Sequence, residues 1–173
     1  MELKQTIGDH KIYSYDSKTY NFIDFLKNLF RCQDLEELHK SSSQFIEYQD
    51  RLELGMLNDT QTDLHDIFYN KIKNDDEFKE LYCKFIKHIY KHFYPDEKII
   101  LYQSFPSIRI QFPQSITIPA HKDSDSLSNH PLGEKNFLIP ITSMKDTRSI
   151  YIESKPDEKD FKSISLSPGD LFY

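Results

Sequence analysis

The hydrophobic period of this chain changes once, near Pro95, and that change limits its fold more than any other feature. Before Pro95, apolar residues recur at helical spacing. Phe22, Phe25, Leu26, Leu29 and Phe30 fall on one face of a helix, with Ser17 and Thr19 as candidate caps ahead of it. A second helix is expected around Leu35 and Leu38, and a third around Leu64, Ile67, Phe68 and Ile72. The strongest pattern runs from Asp76 to Phe93. Phe78, Leu81, Tyr82, Phe85, Ile86, Ile89 and Phe93 make one stripe, while Lys79, Lys84, Lys87 and Lys91 face away. Pro95, with no backbone N–H and a fixed φ, ends it.

After Pro95 the period drops to that of a strand. KIILYQSF, SIRIQF, SITIPA, NFLIPIT, RSIYIES, KSISLS and DLFY are short and rich in Ile, Tyr, Phe and Thr. Phe-Pro, His-Pro-Leu-Gly, Lys-Pro-Asp-Glu and Ser-Pro-Gly-Asp separate them as turn signals. Short, evenly spaced strands of this kind point to a sandwich, barrel or jelly roll. The expected fold class is therefore α+β, with a helical region over 1–95 packing on a sheet built from 96–173.

The chain's 173 residues suit one domain, and 13 Phe with 11 Tyr supply a core. Four glycines and eight prolines are too few for a disordered or fibrous chain. A net charge of -6 offers no general attraction for nucleic acid or anionic membrane, so neither is an expected partner. The lysines of the strong helix read as its wet face. Cys32 and Cys83 lack CxxC pairing and suit a reducing compartment as buried thiols. The N-terminal MELKQTIGDHKIYSYD has no apolar signal core, and no apolar run reaches the ~20 residues of a membrane span. A cytoplasmic location is the expectation.

Candidate chemistry centres on His121-Lys122-Asp123 in IPAHKDSDS. Residues two apart on an extended segment share a face, so the imidazole and the carboxylate can converge on one cation while Lys122 points away. These are two of the three ligands of a 2-His-1-carboxylate iron site. A solvated turn or a hydrogen-bonded pair explains the same tripeptide, and Asp125 competes as the carboxylate. His130 reads as a loop histidine. His88 and His92 share a helical face beside the lysines and read as solvated. Arg109 alternates with Ile108 and Ile110. It suits either an anionic ligand in a barrel lumen or a structural salt bridge. Tyr102 and Asn136 are further candidates for inward-facing polar groups.

FPSIRIQFP, HKDSD, HPLGEKNFLIPIT, IYIES and LSPGDLFY occur in this order over about the last 70 residues of the chain. In that order they resemble the Fe(II)/2-oxoglutarate-dependent dioxygenase superfamily, in the branch found in streptomycin-type aminoglycoside biosynthesis. The helical half resembles that branch loosely. The resemblance implies a double-stranded β-helix of the jelly-roll or cupin type. It also implies Fe(II) held by His121 and Asp123, and 2-oxoglutarate contacted by Arg109, Tyr102 and Asn136. The implied reaction is hydroxylation or oxidation of a small polar metabolite, such as an aminocyclitol or sugar. A distal histidine and a 2-oxoglutarate-gripping arginine would follow a segment like SPGDLFY, and the sequence ends at Tyr173. The expectation is thus a β-helix incomplete at its C-terminus, without turnover, whose open sheet edge invites self-association. Two other readings stand beside it: a non-catalytic cupin-like metabolite-binding module, and a subunit completed by a partner chain.

Overall fold

The computed structural model describes residues 1–43, 45, 62–113, 130–131 and 133–173. The first residues form an antiparallel hairpin of β1 (Glu2–Ile7) and β2 (His10–Ser14), where a helical region was expected. Its turn is Gly8-Asp9, with Gly8 at φ +58° and no positive φ at Asp9. That is the pattern of a type II′ turn, whose first central position favours glycine and whose twist matches the strands.

The carboxylate of Asp16 then organises the next turn. It accepts the amides of Lys18 and Thr19 and the Thr19 hydroxyl, ordering the turn ahead of the first helix rather than capping it.

Three helical stretches follow the expected stripes. α1 spans Phe22–Phe30, α2 Asp63–Ile72 and α3 Asp76–Phe93, while Leu35–Ser41 forms a 3-10 turn in place of the second expected helix. α1 stops in a Schellman arrangement: Arg31 is left-handed at φ +50°, and the Arg31 and Cys32 amides donate to Asn28 and Lys27 carbonyls. The side chain of Asp75 caps α3 by accepting the Phe78 amide at 2.8 Å. Apolar faces from the three helices meet at phenylalanines. Phe22 lies edge-on to Phe85 at 5.2 Å, Phe25 lies 4.8 Å from Phe78, and Phe68 lies 5.9 Å from Phe78. Such pairs contribute about 0.5–1.5 kcal/mol each beyond their buried area. No helix among the described residues is long and apolar enough to cross a membrane.

The strand-like segments KIILYQSF and SIRIQF do not form ladders. Their described residues belong to no strand, and bends fall at Lys98, Ser104 and Phe105. The alternation persists in burial alone: Ile110 and Phe112 are buried, Ile108 is half-buried, and Arg109 and Gln111 are exposed. These apolar residues join Leu38 and Leu64 in one core, and the Ile108 amide donates to the Tyr69 hydroxyl on α2 at 3.2 Å. SITIPA lies wholly outside the described residues.

The C-terminal segments do pair. β3 (Ile150–Ile152) and β4 (Lys162–Ile164) are antiparallel, and β5 (Asp170–Phe172) pairs antiparallel with β2. NFLIPIT contributes one bridge, Leu138 to Phe172, and Met144 bridges Leu166. Both bridges keep one antiparallel register. The strands then advance unequally towards β3 and β4, and the 3-10 turn Asp146–Arg148 takes up the excess. β5 is therefore paired on both edges, by β2 and by Leu138. β1 ends the sheet order among the described residues. Ile12, Ile164, Leu166 and Phe172 form the core here, and each such burial contributes about 1.5–3 kcal/mol.

The result is an α+β protein with small antiparallel sheets and no closed barrel among the described residues. By their contacts, residues 1–21 with 121–173 make one unit and residues 22–120 another.

Candidate functional site

His121 and Asp123, the expected iron ligands, lie outside the described residues, as does Asp125. Among the described residues, no group of three or more His, Cys, Asp or Glu is placed to hold a metal. The described part of the sheet unit contains one buried carboxylate, Asp170. Asp170 accepts the Ser167 amide at 2.9 Å and the Lys4 ammonium of β1. Its own amide donates to the Ser167 carbonyl at 2.9 Å, with Pro168 and Gly169 between, Gly169 at φ +95°. Proline followed by a positive-φ glycine is the type II signature, so Ser-Pro-Gly-Asp forms the expected turn. Burial, and then the Asp170 charge, push the Tyr15 hydroxyl up to about 12, so it stays a protonated donor.

Of the three expected co-substrate residues, Asn136 belongs to the sheet unit and Arg109 and Tyr102 to the helical unit. Asn136 is exposed in the sheet unit, two residues before the Leu138 bridge. Arg109 is exposed in the helical unit, on the side of its segment opposite Ile110. Tyr102 belongs to the same unit and turns towards α3. Its hydroxyl lies 3.7 Å from the Cys83 thiol, and its ring stands 6.2 Å from Tyr82, edge to face. The contact with Cys83 raises the Tyr102 hydroxyl above its ordinary value.

His130 pairs with Glu134 at 2.8 Å across the Pro131–Glu134 turn, in keeping with a loop histidine. Partial burial holds the imidazoles of His88 and His92 below their ordinary range.

One cavity in the helical unit was not anticipated. It is an open groove of about 340 Å³ between α3 and the segment after Leu101, and Lys79, Tyr82, Cys83, Tyr102, Ser104 and Phe105 line it. The sequence held a partial signal: Lys79 and Cys83 stand one helical turn apart, flanking Tyr82. What brings Tyr102 and Phe105 to that face is a long-range contact, the Tyr82 hydroxyl donating to the Gln103 carbonyl at 3.1 Å.

Comparison of the chain with protein-family models, curated proteins and solved structures finds no match.

Proposed function

We propose that this chain is an Fe(II)/2-oxoglutarate oxygenase-like protein acting on a small polar metabolite of the sugar or aminocyclitol class. His121 and Asp123 are its metal ligands, and its C-terminal half is part of a double-stranded β-helix. One imidazole nitrogen and one carboxylate oxygen are a donor pair that suits Fe(II). Bound there with 2-oxoglutarate, the ion would supply oxygen activation for hydroxylation. The chain's own residues would position and shield. Arg109 offers a fixed guanidinium fork for a carboxylate, and Asn136 an amide that both donates and accepts.

The observation that carries the reading is the fold-back of the C-terminal segments. Leu138 with Phe172, Met144 with Leu166, and β3 with β4 pair antiparallel in sequence-nested order. Nested antiparallel pairing of this kind is compatible with a jelly roll, and HKD precedes it in the chain.

Calorimetric titration with Mn(II), a redox-silent stand-in, tests the assignment. Wild-type chain should take up the ion, and His121→Ala or Asp123→Ala should each weaken uptake by about 10- to 100-fold, the loss typical of a disturbed metal centre. Uptake unchanged by both substitutions would overturn it and leave a metabolite-binding module without this metal site.

A further inference from the structure

The cavity on α3 has the composition of a ligand site, and the proposed function makes no use of it. Three of its walls are aromatic: Tyr82, Tyr102 and Phe105. Tyr82 is held from behind by Phe78, stacked at 6.2 Å with only 10° between the ring planes. Its hydroxyl is held by the Gln103 carbonyl. Burial pushes that hydroxyl up to about 12, so the wall is neutral. A slot with one fixed ring and a second ring standing edge-on to it favours a flat aromatic guest, which can offset-stack on one and meet the edge of the other.

The polar groups around the slot differ in charge from an ordinary apolar pocket. Lys79, Ser104 and Tyr102 are its polar lining residues, and no carboxylate is among the described residues that line it. The nearest partner of Lys79 is Asp76, at 3.3 Å and 98% exposed. An ion pair that open to water contributes little, so the ammonium can turn to a guest at small cost.

We infer that the cavity between α3 and Tyr102–Phe105 binds a small planar aromatic carboxylate, its ring against Tyr82 and Tyr102 and its carboxylate on Lys79. Cys83 lies in the same wall and reports on occupancy, since a guest there screens its thiol. Cys32 stands outside the cavity, its thiol directed to the Asp34 carbonyl at 3.0 Å, and serves as an internal control.

Competition between benzoate and a thiol-alkylating reagent tests this in the full chain. Benzoate should slow alkylation of Cys83 with a roughly millimolar midpoint, as befits so small a ligand, while Cys32 is unaffected. Lys79→Gln should weaken that protection about tenfold by removing the charge-assisted bond. Neutral benzamide should protect less than benzoate, and cyclohexanecarboxylate, which cannot stack, should protect less than either. Tyr102→Ala, at a half-exposed position that folding tolerates, should abolish the preference for the flat ring. Equal protection by all three compounds, protection of both cysteines alike, or no protection at all would each overturn the inference.

Discussion

Gly8 is placed where no other residue fits. Its φ of +58° costs an L-residue strain, and the backbone carbonyl of Ser154 occupies the position a β-carbon would take. The Asp9 amide donates to that same carbonyl at 3.1 Å, so the approach is a bond as well as a contact. Gly8→Ala should lower stability by about 2–4 kcal/mol, combining left-handed strain with displacement of a backbone segment. Urea unfolding followed by circular dichroism measures this, and a loss within error of zero would show that the Ser154 segment does not pack there. Asp63 is a second residue with a defined consequence. Burial raises its carboxyl, but hydrogen bonds from Ser42, Ser43 and the Leu64 amide outweigh that and hold it below the usual carboxylate range. With the folded value below the unfolded one, the unfolded chain binds the proton more readily. The stabilisation is therefore complete above about pH 4 and is lost as pH falls through the folded value. Asp63→Asn should be less stable than wild type near neutrality, and the gap in urea midpoint should close on acidification. A gap that stays constant would mean the carboxylate's charge plays no part.

Among the elements, α3 was legible almost to the residue. Its stripe, its Asp75 cap and the Pro95 stop are all local signals, and the helix runs from Asp76 to Phe93. Asp75 accepts the Phe78 amide and pairs with Lys71 at 2.9 Å. Asp75→Ala should cost about 1–2 kcal/mol, read as a fall in the thermal midpoint of the helical signal, and no change would remove the cap from the account. Strands were harder because alternation states which face is buried and says nothing of the partner. Ile108, Ile110 and Phe112 point inward as their period predicts, yet their segment packs on helices and joins no ladder. Conversely, β1 was invisible. Its residues from Glu2 to Thr6 are all exposed, so no apolar alternation marks them. The usable signal was Gly8-Asp9 ahead of HKIYSY, a two-residue turn feeding a half-buried strand. The Ser-Pro-Gly-Asp turn was legible because proline and glycine fix its backbone whatever surrounds it.

At the scale of the whole molecule, the boundary at Pro95 read from the period does not coincide with the units the contacts define. Residues 1–21 return to 121–173 through the pairing of β2 with β5, and only a long-range hydrogen-bond ladder carries that information. Each unit has its own core: phenylalanines from three helices in one, and Ile12, Ile164, Leu166 and Phe172 in the other. The candidate metal ligands were legible as a spacing, His-x-Asp on an extended segment. Their convergence was not, since two side chains meet only if the backbone between them is a strand. Tyr102, a candidate for an inward-facing polar group, lies with its hydroxyl 3.7 Å from the Cys83 thiol on α3, a contact that no local pattern marks. The central claim, that His121 and Asp123 bind one metal ion, is tested most directly by titrating Mn(II) into isotope-labelled chain and mapping amide signal loss. The account predicts that signals of His121, Lys122 and Asp123 broaden first, with the effect fading by distance and vanishing in His121→Ala. Broadening centred on other residues, or spread evenly over the acidic surface, would contradict it.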